Sequence, residues 1–402
     1  MRINFDRARV FWYVWSRKIS QLPKVFKENT PQIFSDEIFR PAQGDTYAII
    51  VKYVKFGLST DFLALLDSLA AASVNAIVVC NGKPTPQMRA QIAARAHRIL
   101  VRPNIGRDFG AYRAATLHIL AGGLKPSRVI YLNDSVYFLA GPALDHLTRQ
   151  LASPTYDVVG ALENHAFSHH LGSYALSLSG AAFADRKIVR FWRRYRPYDL
   201  RLHAINKGEM RLSSTLKRCG YRFDTVYGAE KLADRLTAMS LAQIVNHMRY
   251  LPRDFQLKNL SSTLHSVALL DSMFSEEPGM QVYGAPKPHA QTYVPLPRLR
   301  LDQDDQTEAA LVKATLIDTI MHVVSNSSQI HFGFGLFHKL LGCPIVKKDL
   351  LQRDVFTEHQ MISILDDVPE EERATILREL INRGRPTHPT KKTYFLMRYG
   401  LI

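Results

Sequence analysis

The chain has 402 residues, of which 46% are hydrophobic and 22% are charged. This composition is typical of a globular protein with a large core, and it excludes a mainly disordered, collagenous or coiled-coil chain. Because 52 Lys and Arg face only 36 Asp and Glu, the net charge of +16 predicts an anionic partner: nucleic acid, a phosphorylated small molecule or an anionic membrane surface.

The cysteines and the hydrophobic runs bear on the compartment. Cys80, Cys219 and Cys343 are widely spaced, which predicts neither a disulfide framework nor a metal knuckle and favours a reducing compartment. No run of about 18 uncharged apolar residues predicts a transmembrane helix. The apolar run at 10–15 is followed by basic residues and by no small-residue cleavage site, so we expect a cytoplasmic protein without a secretory signal.

The first 44 residues are predicted to form an amphipathic, basic extension. One helical face carries an apolar stripe made of Phe11, Trp15, Ile19 and Leu22. Pro23 is expected to end this helix. Two interpretations stay open: the helix lies on an anionic bilayer, which would make the protein peripheral at the inner face of the plasma membrane, or it packs on the main domain.

From residue 46 the sequence alternates between strand and helix patterns. Strands are predicted at 47–54, 74–80, 97–102 and 128–132. Helices are predicted between them at 60–72, 84–96 and 109–122. This rhythm predicts a parallel sheet covered by helices, in which ligands bind at the carboxyl ends of the strands.

Beyond residue 150 the pattern is mixed. Strands are predicted at 157–162, 173–179 and 221–228, with helices at 180–195 and 207–219. Later segments predict helix from 230 to about 280, a polar loop at 286–306, helix at 307–341 and a last helix after Pro369. We therefore expect a core at 45–230 and a mostly helical C-terminal region at 231–402 that ends in a basic tail.

The segment NIGRDFGAY (104–112) directly follows the third predicted strand. Gly106 and Gly110 allow a close backbone approach, and Arg107 offers a fork of donors that suits a diphosphate or a carboxylate. Asp108 is able to accept hydrogen bonds from ribose hydroxyls or from a base. The alternative is a turn that holds only a local Arg–Asp pair, and the spacing alone does not decide between the two.

The segment YLNDSVY (131–137) follows the fourth predicted strand. A carboxylate at this place, Asp134, is able to hold a hard cation that bridges a nucleotide diphosphate. The alternative is that Asp134 caps the next turn, as Asp commonly does.

These two motifs, NIGRDFGAY (104–112) and VIYLNDSVYF (129–138), resemble those of the rhamnan synthesis protein F family of bacterial polysaccharide glycosyltransferases. Three further segments resemble the same family in the same order: SHHLGSYALSLSG (168–180), KGEMRLSSTLKRCGYR (207–222) and HFGFGLFHKLLGCPIVKKDLL (331–351). The resemblance extends from about residue 46 to about residue 355.

The resemblance implies a GT-A-like nucleotide-sugar-binding domain that transfers a sugar from a donor such as dTDP-rhamnose. The acceptor would be a growing cell-surface polysaccharide such as an O-antigen, or a lipid-linked glycan. Residues expected to contact the donor are Asn81, Asn104, Arg107, Asp108, Asn133, Asp134, Ser135 and Lys348. Lys347 and Lys348 are candidates for contact with the donor phosphates, and the alternative is that they form a solvated face.

By analogy with GT-A enzymes, the Asn133-Asp134-Ser135 triplet takes the place of their metal-binding Asp-x-Asp, but it has one carboxylate where that motif has two. Asp134 is the candidate ligand of Mg²⁺ or Mn²⁺. Alternatively, Arg107 and helix dipoles neutralise the leaving diphosphate without a metal.

Transfer with inversion needs a carboxylate that takes the proton of the acceptor hydroxyl. Glu209 and Glu163 are the two candidates, and Asp134 completes the predicted catalytic set. The alternatives are a surface ion pair for Glu209 and a solvated acid at a strand end for Glu163.

The histidines and a basic-aromatic run allow several interpretations. His165 and His169 have a metal-like spacing, but two His four apart chelate on a helix, and a loop is expected here, so zinc is not expected. His169, His170 and Ser173 are expected to contact the acceptor instead. The run RFWRRYRPYDLR (190–201) fits a groove for an anionic donor or a lipid diphosphate, or a helix with its aromatic side chains in the core; no nucleic-acid partner is expected.

The runner-up function is a non-catalytic nucleotide- or glycan-binding component of a polysaccharide assembly system. A component without activity is expected to lose its acids while it keeps the pocket. Asp134, Glu163 and Glu209 are all present, which favours an enzyme.

Overall fold

The computed structural model describes residues 5–166, 168–252 and 306–382. Its strands are β1 (Ser35–Ile38), β2 (Thr46–Tyr53), β3 (Asn75–Asn81), β4 (Arg98–Arg102), β5 (Arg128–Asn133), β6 (Val136–Phe138), β7 (Val158–Gly160), β8 (Glu163–Asn164), β9 (His170–Leu171), β10 (Ala175–Ser179), β11 (Phe223–Thr225) and β12 (Ile345–Lys347). Eight of them form one sheet in the order β1-β4-β3-β2-β5-β10-β7-β11, and the other four form two small antiparallel pairs, β12-β6 and β8-β9.

The first half of the chain carries helices α1 (Phe5–Lys27), α2 (Thr60–Ala71), α3 (Pro86–Ala93), α4 (Arg107–Ala121) and α5 (Pro142–Ala152). The middle carries α6 (Gly180–Ala184), α7 (Arg186–Arg194), α8 (Arg201–His203), a π-helix (Ala204–Glu209), α9 (Met210–Arg218), α10 (Ala229–Thr237) and α11 (Leu241–His247). The last described segment carries α12 (Gln306–Ser325), α13 (Gln329–Phe332), α14 (Phe334–Leu341), α15 (Glu358–Ile364) and α16 (Glu370–Asn382).

The centre of the sheet is parallel, because β2 pairs in parallel with both β3 and β5, and β3 pairs in parallel with β4. Alternate residues of β2 face opposite sides, so Ala48 and Ile50 join one hydrophobic core while Ile49 and Val51 join the other. Burial on both faces explains why the strand reads as a continuous apolar run. The predicted α/β class, a mainly parallel sheet flanked by helices, is confirmed.

Some long predicted helices are interrupted by local capping. The helix expected at 180–195 breaks at Asp185, whose carboxylate accepts from the backbone N–H of Lys187 at 2.6 Å and begins α7. The segment predicted as helix at 307–341 forms three consecutive helices. Residues 286–305 of the predicted loop and the basic tail at 383–402 lie outside the described residues.

Helix α1 continues through Pro23, so the prediction that this proline ends the helix is wrong. A proline inside a helix removes one backbone hydrogen bond. Packing beyond it offsets that loss, because Val25 is buried against Tyr198 and Leu200. The turn after the helix is also fixed, since the buried Glu28 carboxylate lies 3.2 Å from the guanidinium of Arg102.

The described C-terminal segment packs on the sheet domain. Strand β12 pairs with β6, which places Ile345 opposite Phe138, and Phe337 and Leu350 belong to the same hydrophobic core as Leu65. This packing brings the segment after β12 to the carboxyl end of the sheet. In the part of the chain that the structure describes, every helix is too short or too polar to cross a bilayer.

Candidate functional site

Asp134 follows β5 immediately and lies at the carboxyl end of the parallel strands. Its Oδ2 accepts a hydrogen bond from the backbone N–H of Tyr53 at 3.0 Å and lies 3.3 Å from the ammonium of Lys52. Both partners belong to the end of β2, the neighbouring strand. The Asp134 side chain is 15% exposed and is therefore open to a ligand.

The two residues beside Asp134 are fixed by hydrogen bonds. Asn133 donates through Nδ2 to the hydroxyl of Tyr112 at 3.1 Å and accepts through Oδ1 from the N–H of Ser135 at 3.1 Å. The Ser135 hydroxyl accepts from the ammonium of Lys347 at 2.8 Å. The triplet is thus held rigidly, and Lys347 arrives at it from β12.

The loop before α4 requires its glycines. Gly106 has φ +80°, and a Cβ there would lie 2.1 Å from Cβ of Pro197. A Cβ at Gly110 would lie 2.1 Å from the carbonyl oxygen of Ile105. Arg107 itself adopts φ +54°, a conformation that residues other than glycine rarely adopt. The close approach predicted from the glycines is therefore present.

Asp108 is a second carboxylate within electrostatic range of Asp134. Burial is the largest cause that raises the pKa of Asp108, to about 6, and the negative charge of Asp134 adds to it. The positive charges of Arg107 and Lys347 oppose the rise. Asp108 and Asp134 are 26 positions apart in sequence. The motif after β5 contains one acid, and it gave no sign that an acid from another loop interacts with it electrostatically.

Glu209 ends the π-helix and belongs to the same cluster. Its Oε1 accepts from the hydroxyl of Ser173 at 2.5 Å and from the N–H of Ser173 at 3.3 Å, and its Oε2 lies 3.7 Å from Nε2 of His170. The preceding Gly208 packs so closely that a Cβ would lie 2.8 Å from the ring of Phe109. This contact brings the π-helix against the start of α4, and the charge of Glu209 contributes to the raised pKa of Asp108.

Glu163 lies in a different network. Its Oε2 accepts from Nε2 of His169 at 2.8 Å and lies 3.3 Å from Nε2 of His165, and its Oε1 accepts from Nε2 of Gln329 at 3.1 Å. Burial alone would raise the pKa of Glu163, but the hydrogen bond from His169 and the positive charges of the two histidines outweigh it and lower the pKa to about 2. Of the two glutamates, the structure brings Glu209 to the cluster around Asp108 and Asp134.

Glu163, His165 and His169 form the one metal-capable group of His, Cys, Asp and Glu found in the described part of the chain, with ligand atoms within 4.8 Å of one another. The premise that two histidines four apart come together only on a helix is wrong here, because the β8–β9 pair folds the loop back and leaves the ring centroids 4.7 Å apart. The expectation that no zinc binds stays a prediction. The ammonium of Lys217 contacts Nδ1 of His169, however, and opposes a second cation at this place.

Three cationic side chains at the cluster come from segments that are far apart in sequence and were not predicted to meet. Lys52 lies on β2, Arg201 opens α8, and Lys347 ends β12. Arg201 lies 3.5 Å from the carboxylate of Asp349, which also accepts from Nε2 of His331 at 3.1 Å. Burial lowers the pKa of Lys347, against the charge of Asp349. Lys347 was a sequence candidate for the donor phosphates and Arg201 ends the basic run at 190–201, whereas Lys52 had no sequence signal.

The other predicted donor contacts are placed differently. Asn104 and Arg107 are exposed beside the loop. Asn81 is buried and accepts through Oδ1 from Arg102 at 2.7 Å. Lys348 is buried as well, with its ammonium 2.8 Å from Glu379, so the structure keeps Asn81 and Lys348 in the protein interior.

The chain is similar to a curated relative and to solved structures. A curated relative, the uncharacterized protein y4gN of Sinorhizobium fredii (strain NBRC 101917 / NGR234), is 27% identical over 197 residues, which are 48% of this chain and 51% of the relative. The chain thus spans about half the length of that relative. A mannosyltransferase of Pyrobaculum calidifontis, PcManGT in complex with GDP-Man and Mn²⁺, is similar at 11% identity and a TM-score of 0.30, covering 52% of this chain and 62% of its own.

The family comparison concerns the part of the chain that carries the strand-end motifs. The matched segment begins in β3, includes Asp108, Asp134, Glu163 and Glu209, and ends just after α11. Residues 76–248 match the model of the family described as rhamnan synthesis protein F, which confirms the family resemblance over this segment.

Proposed function

We propose that this protein is a glycosyltransferase that moves a sugar, rhamnose, from a nucleoside-diphosphate donor to a polysaccharide or lipid-linked glycan with inversion. One observation carries the proposal. The negative charge of Asp134 acts on Asp108, and the charges of Arg107 and Lys347 act on it as well, at the carboxyl ends of parallel strands where α/β sheets bind ligands. The matched family description, rhamnan synthesis protein F, supports the choice of rhamnose and of a cell-surface polysaccharide such as an O-antigen.

The cationic side chains suit the diphosphate of the donor. Arg107 is exposed and offers two parallel N–H groups to phosphate oxygens, and Lys347 adds a point charge from the other side of Ser135. As the bond between the sugar C1 and the diphosphate oxygen breaks, these charges stabilise the negative charge that develops on the leaving group. Lys52 adds a further positive charge at this place through its ion pair with Asp134.

The carboxylates also fit a divalent cation. Mg²⁺ and Mn²⁺ prefer oxygen ligands, and Asp108 and Asp134 are two such ligands whose mutual repulsion a cation would relieve. Asp134 and Asp108 would hold the ion, which would supply further positive charge to the diphosphate. Asp108 is the proposed second acid that the Asn133-Asp134-Ser135 triplet lacks.

Glu209 is the proposed base. Its carboxylate takes the proton of the acceptor hydroxyl while that oxygen forms a bond to C1 on the face opposite the diphosphate. Ser173 and His170 are buried and hold the carboxylate in place as positioning residues, whereas His169 is occupied by Glu163. We place this reaction in the cytoplasm, at the inner face of the plasma membrane.

A panel of nucleoside diphosphates tests the proposal by thermal stabilisation in the presence of Mn²⁺. A diphosphate at 100 times its dissociation constant adds about 2.7 kcal/mol to the free energy of unfolding. We expect dTDP to stabilise the protein, Asp134→Ala to remove the effect, and Asp234→Ala, an exposed acid on α10, to leave it unchanged. Stabilisation by none of dTDP, UDP, GDP and CDP would refute a nucleotide-sugar site, while binding without turnover on any acceptor would favour a non-catalytic component.

A further inference from the structure

We propose that helix α1 and the basic cavity beside it form a docking surface for an anionic phospholipid bilayer. The surface consists of the exposed apolar side of α1 and of the cavity that α1 forms with α7, the π-helix and α9. This inference rests on the proposed location at a membrane and is independent of the proposed reaction.

The cavity has a volume of about 770 Å³ and is strongly basic. Of the described residues that line it, eight are Lys or Arg and none is Asp or Glu. Six of the eight are Lys18, Lys187, Arg190, Arg194, Lys207 and Arg211. Such a one-sided distribution attracts phosphate groups over several ångströms.

These basic side chains are available to a ligand. Among the ion pairs of the described residues, none joins any of the eight to a carboxylate. Arg190, Arg194 and Arg211 are exposed. A group of unpaired cations that share one cavity repel each other, and phosphate headgroups would relieve that repulsion.

The apolar part of the surface adjoins the basic part. Phe11, Trp12, Trp15 and Ile19 lie on one side of α1 and are between 49% and 73% exposed. Trp15 and Ile19 also line the cavity, so the apolar and basic groups are continuous. Exposed aromatic side chains next to bases are the pattern of helices that lie in a bilayer interface.

Helix α1 is held in this orientation by its other side. Val25 packs on Tyr198, and the side-chain oxygen of Gln21 accepts from the N–H of Asp199 at 2.6 Å. The ammonium of Lys18 lies 5.8 Å from the ring centroid of Tyr198. Both interpretations of the N-terminal stripe therefore apply to one helix: Leu22 packs on the domain, while the more N-terminal aromatic residues face outward.

The docking surface adjoins the proposed transfer site through the π-helix. Lys207 lines the cavity, whereas Glu209, two residues later, accepts from Ser173 on the transfer-site side. Tyr195 also lines the cavity; burial raises its pKa, and the charges of Asp108 and Glu209 add to the rise. A bilayer seated on α1 would therefore hold the transfer site close to the headgroup region.

Charge complementarity selects the bilayer over a second copy of the chain. A second copy would bring the same excess of bases to the interface and would repel it, since like charges placed together oppose association. Nucleic acid would satisfy the bases but would leave Phe11 and Trp12 in water. Anionic phospholipid satisfies both groups at once.

Co-sedimentation with vesicles tests the surface. We expect the full-length protein to bind vesicles of phosphatidylcholine mixed with phosphatidylglycerol and not vesicles of phosphatidylcholine alone. Arg190→Ala with Arg194→Ala should weaken binding by about 25-fold, because each base near an anionic surface contributes roughly fivefold. Trp12→Ser with Trp15→Ser should weaken it as well.

Two controls make the result specific. Arg149→Glu changes an exposed arginine on α5 that does not line the cavity, and it should leave vesicle binding within about twofold of the wild type. The thermal stabilisation by dTDP should be the same in all four proteins, which shows that they are folded and that the transfer site is intact.

Three results would overturn the docking surface. The first is that the wild type does not bind vesicles. The second is that Arg149→Glu weakens vesicle binding as much as the double arginine variant does. The third is that the protein does not bind vesicles but self-associates in light scattering, and that Trp12→Ser with Trp15→Ser abolishes this self-association. Binding of single-stranded DNA that competes fully with vesicles would assign the cavity to nucleic acid. Each result leaves the dTDP measurement unaffected, so failure of the docking surface and failure of the proposed reaction are distinguishable.

Discussion

At the level of single residues, the fold places two glutamates in different hydrogen-bond networks, although the sequence offered both as candidates for the catalytic base. Both Glu163 and Glu209 follow the nucleotide half of the chain and lie near histidines in sequence. Glu163 is bound by His169 and Gln329, whereas Glu209 is bound by Ser173 and contributes to the charge around Asp108. This separation depends on long-range packing of the π-helix on α4, which no local pattern predicts.

The assignment of the base predicts different kinetic effects of two isosteric changes. Glu209→Gln keeps the shape of the side chain but removes its proton affinity, so turnover should fall by about 10²–10⁴-fold with dTDP binding retained. Glu163→Gln is the matched control and should keep turnover within about tenfold. Steady-state rates on a defined acceptor measure both. A larger fall for Glu163→Gln than for Glu209→Gln would exchange their roles.

The lowered pKa of Glu163 predicts that the contribution of this residue to stability depends on pH. Its pKa in the folded state, about 2, lies below the ordinary value of 4.5, so the ionised form stabilises the folded state above pH 4.5 and this contribution is lost as the pH falls towards 2. Glu163→Gln should therefore lower the free energy of unfolding by about 2 kcal/mol near pH 6 and by much less near pH 2. Denaturant titrations at several pH values measure the difference, and a constant difference across this range would contradict the assigned hydrogen bonds.

At the level of elements, the sequence predicted the strands and the strand-end loops well because their signals are local. The buried runs of β2, β3 and β5 and the glycines before α4 act through neighbours in sequence. The pairing of Asp108 with Asp134 was missed because two different loops supply the acids. The end of α1 was also missed because it depends on distant residues: contacts with Tyr198 and Leu200 keep the chain helical beyond Pro23.

The loop before α4 predicts a contrast between two glycines that have the same φ. Gly106 and Gly44 both have φ +80°, but a Cβ at Gly106 would lie 2.1 Å from Pro197, whereas a Cβ at Gly44 would meet no atom within 4 Å. Gly44→Ala should cost only the strain of the left-handed conformation, about 1 kcal/mol. Gly106→Ala should cost roughly 3 kcal/mol or more and weaken dTDP binding, because Pro197 and the loop must move.

Thermal unfolding of both variants measures this contrast. Equal losses of stability would show that the left-handed conformation alone matters and that the contact between Gly106 and Pro197 does not shape the loop.

At the level of the whole molecule, the proposed site draws on segments from most of the chain. Lys52 comes from β2, Asp108 from the start of α4, Glu209 from the π-helix and Lys347 from β12. Lys52, Asp108 and Glu209 lie in the expected core at 45–230, whereas Lys347 lies in the expected C-terminal region at 231–402. The strand-end residues are predictable from the sequence. The meeting of cationic side chains from distant segments depends on the assembled fold and is not.

The N-terminal segment is tied into the molecule by a buried ion pair. Glu28 and Arg102 are 1% and 0% exposed, and their charged groups are 3.2 Å apart. Glu28→Gln leaves the guanidinium of Arg102 uncompensated, so we expect the free energy of unfolding to fall by about 3 kcal/mol. Denaturant unfolding measures this loss. A fall below about 1 kcal/mol would show that the pair contributes little to holding the segment after α1 against β4.

The stereochemistry of transfer tests the central proposal most directly. Nuclear magnetic resonance would follow the anomeric signals while the purified protein consumes dTDP-rhamnose in the presence of a synthetic glycan acceptor and Mn²⁺. We expect release of dTDP and a product whose anomeric configuration is opposite to that of the donor, with both changes suppressed about 10²–10⁴-fold by Glu209→Gln. A product with retained configuration, or no transfer by a protein that binds dTDP, would contradict an inverting glycosyltransferase with Glu209 as its base.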